Sequence, residues 1–451
     1  MILTRRSFLA TGAAATLLPG LAAGQSTDAS YLLTGATVLA MDGTPARAAD
    51  VRLTGRTITD VGIALDPQGA EVIDLSGCLL IPGFVDTHWH MWNTIARGMG
   101  QTEFGGFAAS MKPLSAAWTP EAAALSVRLA LAEAWAAGIT TVNNWAHNTK
   151  SVEFAQAELQ AMREGGIRGR FSYGYPQALR PGERMDFAAL ESFAAAFGED
   201  PLLHLGLCTR GPDRSDEAIW TEEWQRARAL SLPITSHIAS DRKGGALGNI
   251  RKMADGGYLG PDVQIVHATH ATDADLKILA ETGTPISISP WTEMEVGYGI
   301  PPVARMAASG VPMGLSVDNM VLAGNADMFA IMKVTADLAA GQTETQGIVK
   351  DAQVLDWATA GGAATLGLSD VGLIAPGMAA DLVAVRIDRE NTRPAGTPEF
   401  MLTHAAHPGN VDTVFCAGVL RKRAGQVVGM DVAGLAAEAD EMIQGLIQRS
   451  R

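Results

Sequence analysis

Pro82-Gly83-Phe84-Val85-Asp86-Thr87-His88-Trp89-His90 is a short apolar run that ends in two histidines two positions apart. On an extended strand, side chains at i and i+2 point to the same face, so His88 and His90 present two imidazoles together at a strand's C-terminal end. That end is where a parallel (β/α)8 barrel keeps its active site. The stretch therefore reads as the first strand of a barrel and, set against the alternative of a packed core pair, as half of a metal site.

Working outward, strand-like runs alternate with Ala/Leu-rich amphipathic segments from about residue 81 to 366, the pattern of repeated βα units. Eight strands are expected in order, at 84–88, 138–144, 168–173, 202–209, 233–237, 263–267, 284–289 and 313–318. Eight is the number that closes a barrel. The segments on either side have a different texture. Residues 31–80 and 370–430 hold short β-rich runs broken by Gly, Asp and Pro, among them Glu71-Val72-Ile73-Asp74-Leu75 and Asp381-Leu382-Val383-Ala384-Val385. The expected fold is thus α/β, a (β/α)8 TIM barrel over 81–366 with a small flanking β-sandwich built from both chain ends. Residues 431–451 space apolar side chains at helical period and read as a docking helix.

The positions of the other histidines strengthen the metal reading. Of nine in the chain, His237 closes the fifth expected strand and His267 the sixth, while Asp318 closes the eighth. Neutral imidazoles and a carboxylate suit zinc, iron(II) or manganese. Core packing would have to produce that placement repeatedly by coincidence. The three cysteines, Cys78, Cys208 and Cys416, have no CxxC spacing, so neither a zinc-thiolate site nor a redox pair is indicated. Buried free thiols are expected, with Cys78 and Cys416 as the one conceivable pair.

The Pro82–His90 segment, His237, His267-Ala268-Thr269-His270, Asp318-Asn319, Ala358–Gly367 and Pro376–Leu382 together resemble the amidohydrolase superfamily, in the branch of the cytosine deaminases and triazine hydrolases. The likeness runs in order from about Tyr31 to Val428. It implies metal ligation by His88, His90, His237 and Asp318, with His267 beside the metal's water. It also implies one divalent ion, zinc first and iron or manganese as alternatives. Binuclear members carry a bridging lysine in the fourth strand, and none lies between Pro201 and Arg210. A metal in this set lowers the pKa of its water towards about 7. Asp318 is expected to accept the proton and His267 to stabilise the tetrahedral centre.

One departure matters. Deaminases of this branch place a proton-shuttling Glu three residues after the fifth-strand histidine, where this chain has Ser240, which cannot act as a carboxylic acid does. Glu293, at the position of a substrate-facing amide in the family, is the expected replacement acid, with Asp241 as a second candidate. His147, Ser240, Trp89 and His270 are expected to contact substrate, Trp92 and Trp291 to add aromatic surface, and Arg242 and Lys243 to be solvated loop charges. His204, His404 and His407 are taken as structural.

Composition narrows the function classes. A net charge of −14 disfavours nucleic acid and anionic membrane surfaces, which are bound by basic patches, and leaves a small molecule as the expected partner. The first 24 residues, with Arg5-Arg6-Ser7-Phe8-Leu9 before an Ala/Leu/Gly run, resemble a twin-arginine signal. They are too short and Ala-rich for a good spanning helix. Export in folded form by the Tat machinery to the periplasm or beyond follows as the expectation, with no stable membrane insertion after cleavage and a homo-oligomer compatible with the rest. The expected activity is hydrolysis of a non-peptide carbon–nitrogen bond in an amidine, amide or cyclic amide. Hydrolysis or lysis with another leaving group such as halide is the alternative, and a non-catalytic periplasmic binding protein is a lesser one. A redox enzyme is disfavoured by the lack of a GxGxxG fingerprint after a strand.

Overall fold

The computed structural model describes residues 29–451, so the expected export signal lies outside the described residues. At its centre are eight parallel strands in sequence order: Phe84–Trp89, Ile139–Ala146, Arg168–Tyr173, Leu203–Thr209, Ile234–Ile238, Val263–His267, Ile286–Ile288 and Met313–Leu315. Closure is made at the functional end. The Asp318 amide donates to the His88 carbonyl at 3.0 Å and the His90 amide to the Asp318 carbonyl at 2.6 Å, so two expected ligand strands are stitched together through their own backbones. Helices follow the strands and pack outside, as a right-handed βα repeat requires.

Local chemistry explains where strands stop. The second begins at Ile139 and not Gly138, because Gly138 (φ +84°) is the left-handed cap of helix Pro120–Ala137. The seventh is shortened to Ile286–Ile288: Pro290, with no N–H and a fixed φ, starts the helix Pro290–Glu295. The eighth was expected to run to Asp318 but its ladder ends at Leu315, and Asp318, at φ +67°, rejoins the barrel through a single bridge to Trp89.

Both chain ends build the flank. A four-stranded sheet (Thr57–Gly62, Asp50–Thr54, Ser30–Thr34, Glu71–Asp74) faces a seven-stranded one that carries Cys78–Pro82, Leu382–Arg386 and Val411–Cys416 at its centre. Period-2 alternation divides the burial. Leu80, Leu382, Ala384 and Phe415 join the apolar core between the two sheets, while Leu79, Ile81, Val383 and Val385 join the core of the barrel. The three cysteines are buried and free, Cys78 on the sandwich side and Cys416 on the barrel side. The helix Val432–Ser450 buries Leu435, Ala439, Ile443 and Leu446 against the first barrel helices. At roughly 1.5–3 kcal/mol for each large apolar side chain, that docking is well paid. Among the described residues no helix is long and apolar enough to cross a membrane.

Candidate active site

The first strand bulges where it matters. Its pairing with the second strand slips between Asp86 and Trp89, so the extra residue breaks strict alternation. Thr87 consequently bonds Ser287 and the Leu315 carbonyl across the barrel interior, while the adjacent His88 still reaches the top of the barrel. Asp86, fully buried, accepts from the His88 amide at 3.1 Å and the Val317 amide at 2.9 Å. Its carboxyl, raised well above the usual range by burial, ties the first strand to the turn carrying Asp318.

The four expected ligands converge. Asp318 Oδ1 lies 3.3 Å from His88 Nε2 and 3.2 Å from His90 Nε2, and His237 Nε2 lies 3.2 Å from His88 Nε2. Neighbouring ligands of an ion with metal–nitrogen distances of about 2.0–2.1 Å lie roughly 3.3–3.4 Å apart, so the spacing of His88 from Asp318 and from His237, and of His90 from Asp318, suits ligands of one divalent ion. The set His88, His90 and Asp318 and the set His88, His237 and His267 each bring ligand atoms within 4.8 Å of one another. Electrostatics agree. Burial holds the His88 imidazole down to about 3 and His237 well below its ordinary value, so both are neutral donors at neutral pH. Burial alone would raise Asp318, but hydrogen bonds from His88 and His90 hold it well below the usual carboxylate range.

Around the cluster the rings stack. His237 lies between Trp145, 4.1 Å away with planes 12° apart, and His267, 5.0 Å away and 10° apart. His267 is a non-glycine residue at φ +74°, and Asp318 and Ala239 share that left-handed conformation at φ +67° and +52°. Backbone in that region costs on the order of 1–3 kcal/mol per residue and persists where the surroundings over-determine it, which is common at functional sites. His267 Nδ1 lies 3.0 Å from Glu293 Oε1, which also accepts the Ser289 amide at 2.9 Å. Burial raises the Glu293 carboxyl, and its bond to His267 opposes the rise. Glu293, read from sequence as a substrate-facing acid, is therefore placed behind His267 as its partner.

The other expected contacts divide. His147 is at the rim: Trp92 Nε1 donates to its Nδ1 at 3.1 Å, so Nε2 carries the ring proton and faces Gln177 at 3.4 Å. Ser240 is buried, with an Oγ that has no hydrogen-bond partner. Trp89, expected against substrate, is instead fully buried in the main apolar core, because it alternates away from His88 and His90. His270 bonds the Tyr298 carbonyl at 2.6 Å and braces that loop. Asp241 caps the helix Arg242–Ala246, and Arg242, Lys243 and Trp291 are exposed. His404 pairs with Asp351, and His407 accepts the Gly409 amide.

Sequence reasoning missed Arg214 and Tyr298. Arg214 Nη1 lies 3.4 Å from His237 Nδ1, and Nη2 donates to the Tyr298 hydroxyl at 3.3 Å. Their only signal was location, in loops that follow the fourth and seventh strands.

The model of the amidohydrolase family matches residues 79–421. Isoxanthopterin deaminase from an unknown prokaryotic organism is 27% identical, over 93% of this chain and 96% of its own. An adenosine deaminase from Xanthomonas campestris with bound zinc superposes with a TM-score of 0.85 at 22% identity, covering 93% and 99% of the two chains. Atrazine chlorohydrolase TrzN from Arthrobacter aurescens TC1, complexed with zinc, does so at 0.81 and 19%, covering 92% and 100%.

Proposed function

The chain belongs to the amidohydrolase family, and we propose from that premise that it hydrolyses a non-peptide carbon–nitrogen bond of a small molecule with the help of one divalent ion. The observation that carries this reading is the convergence on His88 Nε2 of Asp318 Oδ1 at 3.3 Å and His237 Nε2 at 3.2 Å, with His90 Nε2 3.2 Å from the same Asp318 oxygen. When bound there, the ion supplies Lewis acidity and a water whose pKa is lowered towards about 7. Zinc is the ion of the adenosine deaminase and TrzN structures and is the one proposed here, singly occupied.

The chain's own groups supply the proton transfers. Asp318, a carboxylate at the ion's side, can take the nucleophile's proton on its second oxygen and return it to the departing amine. His267 donates through Nδ1 to Glu293, which leaves Nε2 for the reacting centre; a proton on Nε2 gives an imidazolium whose charge Glu293 balances. That pair supplies the acid that Ser240 cannot be. Ser240 Oγ is left as a hydrogen-bonding group for substrate, and His147 stands at the rim with Nε2 within reach of Gln177. The name of the deaminase relative makes an amine-bearing heterocycle the leading substrate form. The Arg5-Arg6 segment supports export of the folded protein, and export is part of the proposal.

The test is release of ammonia or amine from cyclic amidines, lactams and N-acyl compounds by protein loaded with zinc, iron(II) or manganese. Chlorotriazines with halide detection serve as the competing arm. Metal-dependent amine release supports the reading; halide release alone, or no turnover by protein with bound metal, overturns it.

A further inference from the structure

Arg214 and Tyr298 line a cavity of about 950 Å3, walled in part by the helix Phe107–Ala117, whose charged lining is Arg214, Lys112 and Lys150, with no aspartate or glutamate. In a chain of net charge −14 that lining is selective. Lys150 is committed, since its ammonium donates to the carbonyls of Ser115, Ala116 and Trp118 at 2.7–3.3 Å. Arg214 is different. Among the described residues it has no carboxylate partner: the neighbouring Asp213 is occupied by the Ala239 amide at 2.7 Å and by Asn249 at 2.8 Å.

What Arg214 does face is a second donor. His237 turns Nε2 to the metal cluster, so its Nδ1 carries the ring proton when an ion is held there. A guanidinium accepts nothing, so Arg214 Nη1 and His237 Nδ1–H, 3.4 Å apart, are two donors without an acceptor between them. Tyr298 adds a third: its oxygen accepts from Arg214 Nη2, which leaves its own proton to give. Arg214 and Tyr298 line the cavity, and His237, a proposed ligand of the metal, presents its Nδ1 to Arg214.

We infer that this trio binds a carboxylate of the substrate, one oxygen shared by Arg214 and His237 and the other received by Tyr298, and that Arg214 sets the preference for acidic substrates. A planar guanidinium matches a planar carboxylate, and such charge-assisted bonds are among the stronger ones available. Because Arg214 touches the group that faces the metal, the carboxylate must lie within a few bonds of the carbon that is attacked. A distal acidic tail would miss it. The inference rests on the hydrolase reading for its substrate, but not for its binding test.

Two measurements separate the two claims. Calorimetric titration of the zinc-loaded protein with benzoate and with benzamide should show benzoate at least tenfold tighter. In Arg214→Gln, checked for full zinc content and unchanged melting temperature, that ratio should collapse to within about threefold, and Arg214→Lys should restore part of it. Equal binding of the two probes, or a ratio unchanged in Arg214→Gln, overturns the inference whatever the enzyme's activity. Turnover is then compared between the carboxylate and carboxamide forms of one aminopyrimidine. A kcat/KM ratio that favours the acid and falls at least tenfold in Arg214→Gln supports the assignment. Benzoate selectivity without turnover of any amine-bearing compound would leave the anion site standing and defeat the hydrolase reading alone.

Discussion

Glu293 Oε1 lies 3.0 Å from His267 Nδ1, with both side chains buried. Partners of this kind fix a histidine's tautomer, and their loss costs about 10–100-fold in metal affinity or activity. Glu293→Gln is therefore expected to lower kcat/KM by about 10–100-fold with one metal retained. Unaltered turnover would sink the proposed pair.

The four-ligand cluster predicts a stoichiometry. Protein as isolated should hold one divalent ion per chain by elemental analysis, and His88→Ala should hold none and be inactive. Chelation should abolish turnover, and one equivalent of zinc should restore it. Because an ion that binds only the folded chain stabilises it by about 2.7 kcal/mol at a hundredfold excess over Kd, chelation should also lower the melting temperature by several degrees. Two ions per chain would contradict the single site.

Much of this site was legible because the residues that make it lie on strands. Period 2 puts His88 and His90 on one face, and apolar runs ending in His237 and His267 place those rings on the same rim. What was not legible depends on backbone that leaves regular geometry. Asp318 stands past the end of the eighth strand in a left-handed conformation that no alternation foretells. Glu293 could be named but not placed: the short helix begun by Pro290 folds it back to His267. Arg214 and Tyr298 belong to loops, where no periodicity fixes a side chain's direction, and only the folded chain brings them to His237.

Arg168 and Asp381 predict how barrel and sandwich hold together. Arg168 Nε donates to Asp381 Oδ2 at 2.9 Å with both groups buried, and Asp381 Oδ1 accepts the Ala417 amide at 3.1 Å. Breaking a buried pair from one side strands the other charge and typically costs about 3–5 kcal/mol, whereas an apolar replacement of both is often neutral. Arg168 Nη1 also reaches Asp370 Oδ2 at 3.3 Å, a half-exposed partner, so Asp381→Ala should lose about 3 kcal/mol or somewhat less in urea unfolding, and Arg168→Met with Asp381→Leu should recover most of it. A single variant within about 1 kcal/mol of the parent would refute the argument.

Export, read from Arg5-Arg6-Ser7-Phe8-Leu9 and the Ala/Leu/Gly run after it, has its own test. Replacing both with lysine should hold the full-length precursor in the cytoplasm of a bacterial host, where the parent chain is found cleaved in the periplasmic fraction. Equal fractionation of the two would remove export from the proposal.

Glu158 gives a pH dependence whose sign can be worked out. It is fully buried, its one oxygen accepting from Asn144 Nδ2 at 3.0 Å, and burial pushes its carboxyl up to about 8. In the unfolded chain the same group titrates near about 4.3. Below that pH it is protonated in both states and contributes no pH dependence. As pH rises towards 8 the unfolded chain sheds the proton while the folded chain keeps it, so folded stability falls, and beyond 8 the loss levels off. The ceiling is roughly 4–5 kcal/mol at about 1.36 kcal/mol per pKa unit. Glu158→Gln keeps an acceptor for Asn144 and removes the titration. Its melting temperature relative to the parent should rise steadily between pH 5 and 8 and then stay level. A difference that does not change with pH over that interval would show that Glu158 is not held protonated in the folded protein.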